Sequence, residues 1–249
     1  MKKFKEIAAA FLLVIAVSSL IVFMYRSGST KTNRELAKRI SELSPHGGPP
    51  ETIEGLRKAI ALYENQIERN VREGAQTGVY WKILATRLAD RGMHRDALDA
   101  LERAVYFNAD DPALFNLTAV SAATVAKSVV GFSSASDNER EHFYKLAENS
   151  YKRALQIDET YSKPMYGLAV LYTFELDRPQ EAVAYLDRYL KIYPQDIQAM
   201  FVLARAHAMT GNYSMAVEQY DRIIAKTKDQ NVKNEAVNNK NFIQDLQYE

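Results

Sequence analysis

The stretch DALDALERAVYFNADDP, residues 96–112, contains the outline that decides the fold. A small residue, Ala97, is followed four positions later by the bulky Leu101, and a polar turn ends the stretch at Pro112. The outline returns in three later stretches, LAENSYKRALQIDET from residue 146, EAVAYLDRYLKIYPQD from residue 181 and MAVEQYDRIIAK from residue 215. Because positions four apart lie on the same face of an α-helix, the outline predicts a recurring helical unit.

The distances between these stretches give the length of the unit. The small residues Ala97, Ala147, Ala182 and Ala216 lie 50, 35 and 34 positions apart. A second set of large apolar residues, each with a small residue four positions later, has intervals of 34, 50 and 35: Trp81, Phe115, Met165 and Met200. A period of 34 residues, lengthened once by 16, therefore runs through the chain.

This pattern resembles the tetratricopeptide repeat, whose signature is W-x2-L-G-x2-Y, then A-x3-F, then P. The first repeat matches the signature at Trp81, Leu84, Ala85, Leu88, Gly92, Ala97, Leu101 and Ala104. The third repeat matches it at Met165, Leu168, Ala169, Tyr172, Ala182, Leu186 and Pro194. The match covers residues 79–226, with departures at Thr118, at the inserted residues of the second repeat, and at His207, which replaces a tyrosine.

The resemblance implies an all-α fold, a right-handed α-solenoid of helical hairpins whose small residues let paired helices approach. An ordinary helical bundle with accidental spacing is the alternative. The chain then divides into a tail (1–6), an apolar span (7–25), a linker (26–50), a helix that covers the front of the stack (51–78), four repeats (79–230, with the insert near 123–138) and a C-terminal capping helix (231–249).

The covering helix is predicted from five apolar residues at helical spacing, and we expect these residues to pack on the first repeat: Ile53, Leu56, Ile60, Tyr63 and Ile67. The glycines of Gly74 to Gly78 predict a break before that repeat.

The insert predicts that both helices of the second repeat are about two turns longer than usual, at about 3.6 residues per turn. Ser136 or Asp137 is the expected cap of the return helix. The apolar residues of the insert are either exposed for a partner or packed against Phe143 and Leu146: Val125, Val129, Val130 and Phe132.

The N-terminus contains nineteen positions without a charge, Ile7 to Tyr25. At about 1.5 Å per residue they form roughly 28 Å of helix, close to the ~30 Å hydrocarbon core of a bilayer. This predicts one transmembrane anchor; a signal peptide cleaved after small residues such as Ala16 and Ser18 is the alternative. The short lysine-bearing tail favours a cytoplasmic N-terminus, although basic residues also follow the span. We therefore expect a single-pass inner-membrane protein with a periplasmic repeat domain.

Composition excludes several classes of function. Thirty-two basic against 31 acidic residues give a net charge of +1, so the chain has no general attraction for nucleic acid. The absence of cysteine excludes disulfides, thiolate metal sites and a cysteine nucleophile. The four histidines have no metal-ligand spacing, and no phosphate-binding glycine loop is present. We therefore predict no catalytic residue, no cofactor and no metal, and hence no enzyme.

What remains is a binding surface. The resemblance implies that the first helix of each repeat lines a concave groove for an extended peptide or a helix of a protein partner. The register assigns nine principal residues to this groove: Lys82, Thr86, Asn116, Val120, Lys163, Tyr166, Val170, Phe201 and Arg205. Relatives that clamp a terminal carboxylate use lysines, asparagines and an arginine; Lys82 and Lys163 fit two such positions, but Thr86, Leu117 and Gly167 occupy the others, so this specificity is not carried over.

These expectations combine into a membrane-anchored interaction scaffold for protein assembly or translocation at the cell envelope. Two alternatives stay open. One is a structural repeat protein that self-associates through the extended hairpin, which would make it a homo-oligomer. The other is a subunit that presents apocytochromes during cytochrome c assembly.

Overall fold

The computed structural model describes residues 34–39, 41–43, 50, 52–131 and 133–248. Residues 247 and 248 are described by their backbone alone. It divides into two compact units, residues 1–73 and 74–249. The predicted tail and transmembrane anchor, and the alternative cleavage site, lie outside the described residues. None of the helices in the described part is long and apolar enough to cross a membrane.

The described residues contain helices and turns but no strand, so the all-α prediction is confirmed for them. Residues 34–39 and 41–42 form a short helical stretch. The main helices are α1 (Ile53–Asp90), α2 (His94–Phe107), α3 (Pro112–Ser128), α4 (Ser134–Ile157), α5 (Ser162–Phe174), α6 (Pro179–Ile192), α7 (Ile197–Met209), α8 (Tyr213–Lys226) and α9 (Gln230–Tyr248).

The predicted break at Gly74 to Gly78 is wrong, because α1 runs through it as one helix of 38 residues. A glycine inside a helix costs only about 1 kcal/mol, so packing can outweigh it. At Gly78 the end of α2 comes very close: a Cβ there would lie 2.8 Å from Cβ of Phe107 and closer still to the Asn108 side chain. The glycine that signals a turn in the sequence is therefore a point of close helix approach.

The expected covering helix is consequently the first part of α1 and not a separate element. Its apolar side chains are also not buried as predicted, and all five are exposed: Ile53, Leu56, Ile60, Tyr63 and Ile67.

Residues 74–249 stack as helical hairpins. The end of α1 packs on α2, and α3 with α4, α5 with α6 and α7 with α8 form the following pairs, with α9 against α8. The small residues that define the period are fully buried where paired helices meet: Ala97, Ala147, Ala182 and Ala216. One apolar core extends from Ala119 to Ile243, while a smaller cluster around Ala85, Leu101 and Leu114 serves the first repeat.

The insert lengthens the two helices of the second repeat unequally. Helix α3 has 17 residues and α4 has 24, against 13 and 14 in the third repeat. We expected each helix to be two turns longer than usual. At about 3.6 residues per turn, α3 is instead about one turn longer and α4 nearly three turns longer. Helix α3 stops early because Val129 is extended, and Gly131 then takes a φ of 141°, which favours glycine.

The cap of α4 also differs from the prediction. Ser133, and neither Ser136 nor Asp137, is the N-cap: its Oγ accepts a hydrogen bond from the Ser136 backbone N–H at 3.3 Å. The Ser133 N–H in turn donates to Ser136 Oγ at 3.2 Å, so the two serines form a capping box. A serine at the third helical position replaces the usual Glu or Gln of this motif, which hides it in the sequence.

The apolar residues of the insert are divided between core and surface. Val125 is only 2% exposed, whereas Val130 is 93% exposed. Val129 is half-buried, and Phe132 lies outside the described residues. Phe143 and Leu146 pack against the main core. The described part of the hairpin therefore presents one prominent apolar side chain, Val130, and no broad apolar patch.

Candidate partner-binding groove

The first helices of the second, third and fourth repeats contact one another in succession, α3 with α5 and α5 with α7. Two cavities lie along this wall. The first, of about 540 Å³, is lined by residues of α3 and α5, by Tyr151 of α4 and by the end of α6. The second, of about 560 Å³, is lined by α5, α7, α8 and α9. Tyr166 and Val170 line both cavities, so we treat the two as one groove.

Seven of the nine predicted groove residues come together here. Asn116, Val120 and Lys163 line the first cavity, and Phe201 and Arg205 line the second. Tyr166 and Val170 join them at the boundary. Asn116 is nevertheless almost buried, whereas Val120 is 44% exposed. Val120 therefore offers a bound segment more surface than Asn116 does.

The remaining two residues, Lys82 and Thr86, line neither cavity. Lys82 Nζ forms a salt bridge with Asp111 Oδ2 at 2.7 Å, and the same aspartate caps α3 by accepting from the Ala113 N–H at 2.9 Å. Thr86 Oγ1 donates to the backbone carbonyl of Lys82 at 2.9 Å. Lys82 thus holds the start of the second repeat, whereas Thr86 bonds within α1 itself. The register alone could not show that Asp111 would be within reach of Lys82.

The cations of the groove differ in their partners. Lys127 Nζ lies 2.8 Å from Glu175 Oε1 and is neutralised by it. Lys163 and Arg205 are exposed, and neither forms a salt bridge with any described residue. These two side chains can therefore bind a partner's carboxylate or carbonyl oxygen without first breaking an ion pair.

Three tyrosines form a row on one side of the first cavity. The sequence predicted Tyr166 but not Tyr189 or Tyr193. The ring of Tyr189 lies 5.3 Å from that of Tyr166 and 5.0 Å from that of Tyr193, between centroids. Tyr189 and Tyr193 belong to the end of a second helix, α6, which the register had excluded from the groove. Their four-residue spacing before Pro194 was the available signal.

Tyr189 is held firmly in this row. Its hydroxyl donates to Asp196 Oδ2 at 2.7 Å, and burial, together with this hydrogen bond, raises the pKa of Tyr189 above its ordinary value. The Ser162 hydroxyl donates to Tyr193 Oη at 3.3 Å. Hydrogen bonds at their hydroxyl groups thus anchor the rings of Tyr189 and Tyr193, and anchored rings bind apolar groups with little loss of conformational entropy.

The far end of the groove is formed by the C-terminal helix. Glu235, Asn239, Phe242, Ile243 and Leu246 of α9 line the second cavity. The sequence predicted only a C-terminal capping helix at 231–249. Phe242 of this helix lines the groove and is exposed.

No group of three or more His, Cys, Asp and Glu side chains within the described ranges is placed to hold a metal ion. His207, which replaces a tyrosine of the repeat signature, is 6% exposed. Burial lowers its pKa below the ordinary 6.5, although Asp187 and Glu218 act in the opposite direction.

Comparison with known proteins identifies the class of fold. The family profile described as tetratricopeptide repeat matches residues 173–234. No curated protein sequence matches the chain. Among solved structures, YrrB, described as a tetratricopeptide-repeat protein with an unusual peptide-binding site, is 18% identical with a TM-score of 0.57, over 73% of this chain and 83% of its own.

Two further structures give the same result. MamA is 16% identical with a TM-score of 0.52, over 68% of this chain and 86% of its own. A tetratricopeptide-repeat protein of Thermus thermophilus is 16% identical with a TM-score of 0.52, over 72% of this chain and 88% of its own. At such identities the similarity shows the fold alone. The fold is an all-α helical solenoid. Its hairpins are of the tetratricopeptide-repeat type.

Proposed function

We propose that the chain is an interaction scaffold that binds a segment of a protein partner, an extended peptide or a helix, in the groove. The observation that carries this proposal is the continuity of the two cavities at Tyr166 and Val170. Because of it, one bound segment contacts the first helices of three successive repeats. The peptide-binding site described for YrrB supports the same use of a similar fold.

The chemistry of the groove supports a segment with both apolar and acceptor groups. Tyr166 and Phe201 offer half-buried rings that already pack against the main core, and Arg205 is unpaired among the described residues. Aromatic and arginine side chains supply most of the binding energy in many protein interfaces. We expect apolar side chains of the partner to contact the rings and its oxygen atoms to bind Arg205 and Lys163.

We further propose that Ile7 to Tyr25 anchor the chain in the inner membrane with the repeats on the periplasmic side. The nineteen uncharged positions and the preceding lysines support this. A scaffold held there would act in protein assembly or translocation at the envelope.

Crosslinking of the full chain in cells, followed by identification of the crosslinked protein, supplies the partner for a binding test. Tyr166→Ala combined with Arg205→Ala should then weaken binding by at least about 2 kcal/mol, or about thirtyfold in Kd. The helical content should stay unchanged, because neither side chain belongs to the fully buried core.

The matched control is Tyr106→Ala combined with Arg103→Ala. These residues are exposed on α2 and line neither cavity, so their loss should leave the Kd unchanged. Equal weakening by both pairs would refute the groove. Deletion of residues 131–138 tests the hairpin: if only this deletion abolishes binding, the partner binds there.

A further inference from the structure

The first part of α1 has an apolar face that no described residue covers. Six large apolar side chains on this face are between 41% and 74% exposed: Ile53, Leu56, Ile60, Tyr63, Ile67 and Val71. All of them belong to the unit of residues 1–73. We call this set the α1 stripe.

The α1 stripe has the spacing of a coiled coil. From Ile53 to Ile67 its members lie alternately three and four positions apart, which is the 3.5-residue period of a left-handed two-helix seam. An amphipathic helix that packs on a globular core shows a wider stripe with a period of 3.6. The spacing therefore favours another helix, lying alongside α1, as the occupant.

The residues at the two seam positions indicate which helix that is. Isoleucine occupies every first position, at residues 53, 60 and 67, and Leu56 and Tyr63 occupy the second. β-Branched residues at the first position with leucine at the second favour two parallel strands. Asn70 follows at the next second position, where its Oδ1 accepts a hydrogen bond from Gln66 Nε2 at 3.0 Å, so the apolar seam ends at Ile67.

The neighbouring face of α1 is already in use, which leaves the stripe for a partner. Gly55 and Ala59 are buried, and Leu62 and Gln66 are half-buried. Residues 34–39 and 41–43 lie beside this side of α1, because they line cavities together with Leu62 and Gln66. The stripe lies about a quarter-turn away from this face, at about 100° per residue.

We propose that the occupant is a second copy of the same chain, and that residues 53–71 of two copies form a parallel two-stranded coiled coil. The flanking positions are compatible with this pairing. Among the residues that flank the seam between positions 59 and 71, only Glu64 is charged, so like charges do not meet across it. A dimer carries two grooves, which raises the avidity for a partner with two binding segments.

The chain has no cysteine, so single cysteines report the pairing directly. In a parallel dimer in register, residue 60 lies opposite residue 60 of the other copy, within the 4.4–6.8 Å between Cα atoms that a disulfide requires. The full chain carrying Ile60→Cys, under mild oxidation in membranes or mild detergent, should give at least about tenfold more linked dimer than Asn65→Cys. Asn65 is exposed and points away from the seam.

Equal linkage in the two variants, or none in Ile60→Cys, overturns the proposal. Linkage that appears only when Ile60→Cys and Tyr63→Cys chains are mixed overturns the parallel arrangement. A second variant guards against a folding artefact: Ile60→Glu changes an exposed residue, so the helical content should persist while native mass spectrometry shows the dimer replaced by monomer. A dimer that survives Ile60→Glu contradicts the coiled coil. A wild-type chain that is a monomer, because its own N-terminal span covers the α1 stripe, contradicts it as well.

Discussion

The hydroxyl of Tyr144 donates a hydrogen bond to Oε2 of Glu175, 2.5 Å away. Tyr144 lies on the lengthened helix α4, and Glu175 caps the end of α5 in the next repeat. The other oxygen of Glu175 binds Lys127, in the additional turn of α3. One carboxylate thus joins both lengthened helices of the second repeat to the third, at the edge of the first cavity. The insert is part of the groove wall.

Removal of this hydroxyl should weaken the fold. Tyr144→Phe keeps the ring and deletes one hydrogen bond to an ionised acceptor, which should lower the free energy of unfolding by about 1.5 kcal/mol. Chemical denaturation measures the change. Tyr106→Phe, at a largely exposed tyrosine on α2, is the control and should have no effect. Equal midpoints for Tyr144→Phe and wild type would mean that the Glu175 contact contributes nothing.

The pKa of His207 predicts a dependence of stability on pH. Burial lowers the pKa of this histidine below the ordinary 6.5, so the unfolded chain binds the proton more tightly than the folded one. Stability is therefore full above pH 6.5 and falls as the pH drops from 6.5 through the lowered folded-state pKa. His207→Leu should lack this loss, whereas His142→Leu, at an exposed histidine, should keep it. Chemical denaturation of wild type and both variants across this pH range measures the loss of unfolding free energy in each.

The small residues between paired helices should not tolerate enlargement. Ala97→Leu and Ala182→Leu each add three heavy atoms at positions that are fully buried, and overpacking of this kind costs about 1 to 3 kcal/mol. The melting temperature of both variants should fall. Ala184→Leu makes the same change at an exposed position two residues from Ala182 and should melt like wild type. If Ala182→Leu and Ala184→Leu melt alike, the close helix contact at Ala182 is not real.

The proposed anchor has a direct biochemical test. The full chain should remain with membranes after carbonate extraction, because one apolar helix of about 28 Å inserts stably in a bilayer. It should also keep its N-terminus, which mass spectrometry of the mature protein measures. A mature protein that begins near Ser19 or Leu20 would show a cleaved signal peptide instead. Protease digestion of intact and opened cells then reports on which side the repeats lie.

Residues whose role is set by close packing within the repeat could be predicted from the sequence. Ala97 and Ala182 are examples, because a small side chain is required wherever two helices of a hairpin meet. Seven of the nine groove residues followed from the same register. This part of the structure repeats along the chain, so each copy supports the interpretation of the others.

Residues whose role depends on a contact outside the repeat pattern could not be predicted. Lys82 is held by Asp111, at a distance that depends on how the turn between two repeats closes. Tyr189 and Tyr193 reach the groove from a second helix, and Gly78 was interpreted through its local preference for turns although a neighbouring helix end decides its role. In each case tertiary packing outweighed the local signal.

The separation of the apolar core into two clusters has a mechanical consequence. The first repeat relies on a small cluster around Leu101, whereas every helix that lines the groove shares the larger core. In a solenoid each repeat is stabilised mainly by its neighbours, so a terminal repeat whose buried apolar cluster is small opens first. A pulling force applied from the N-terminal side would unravel α1 and α2 before it reached α3. The first repeat would then unfold under load while the helices of the groove stay folded and keep their bound segment.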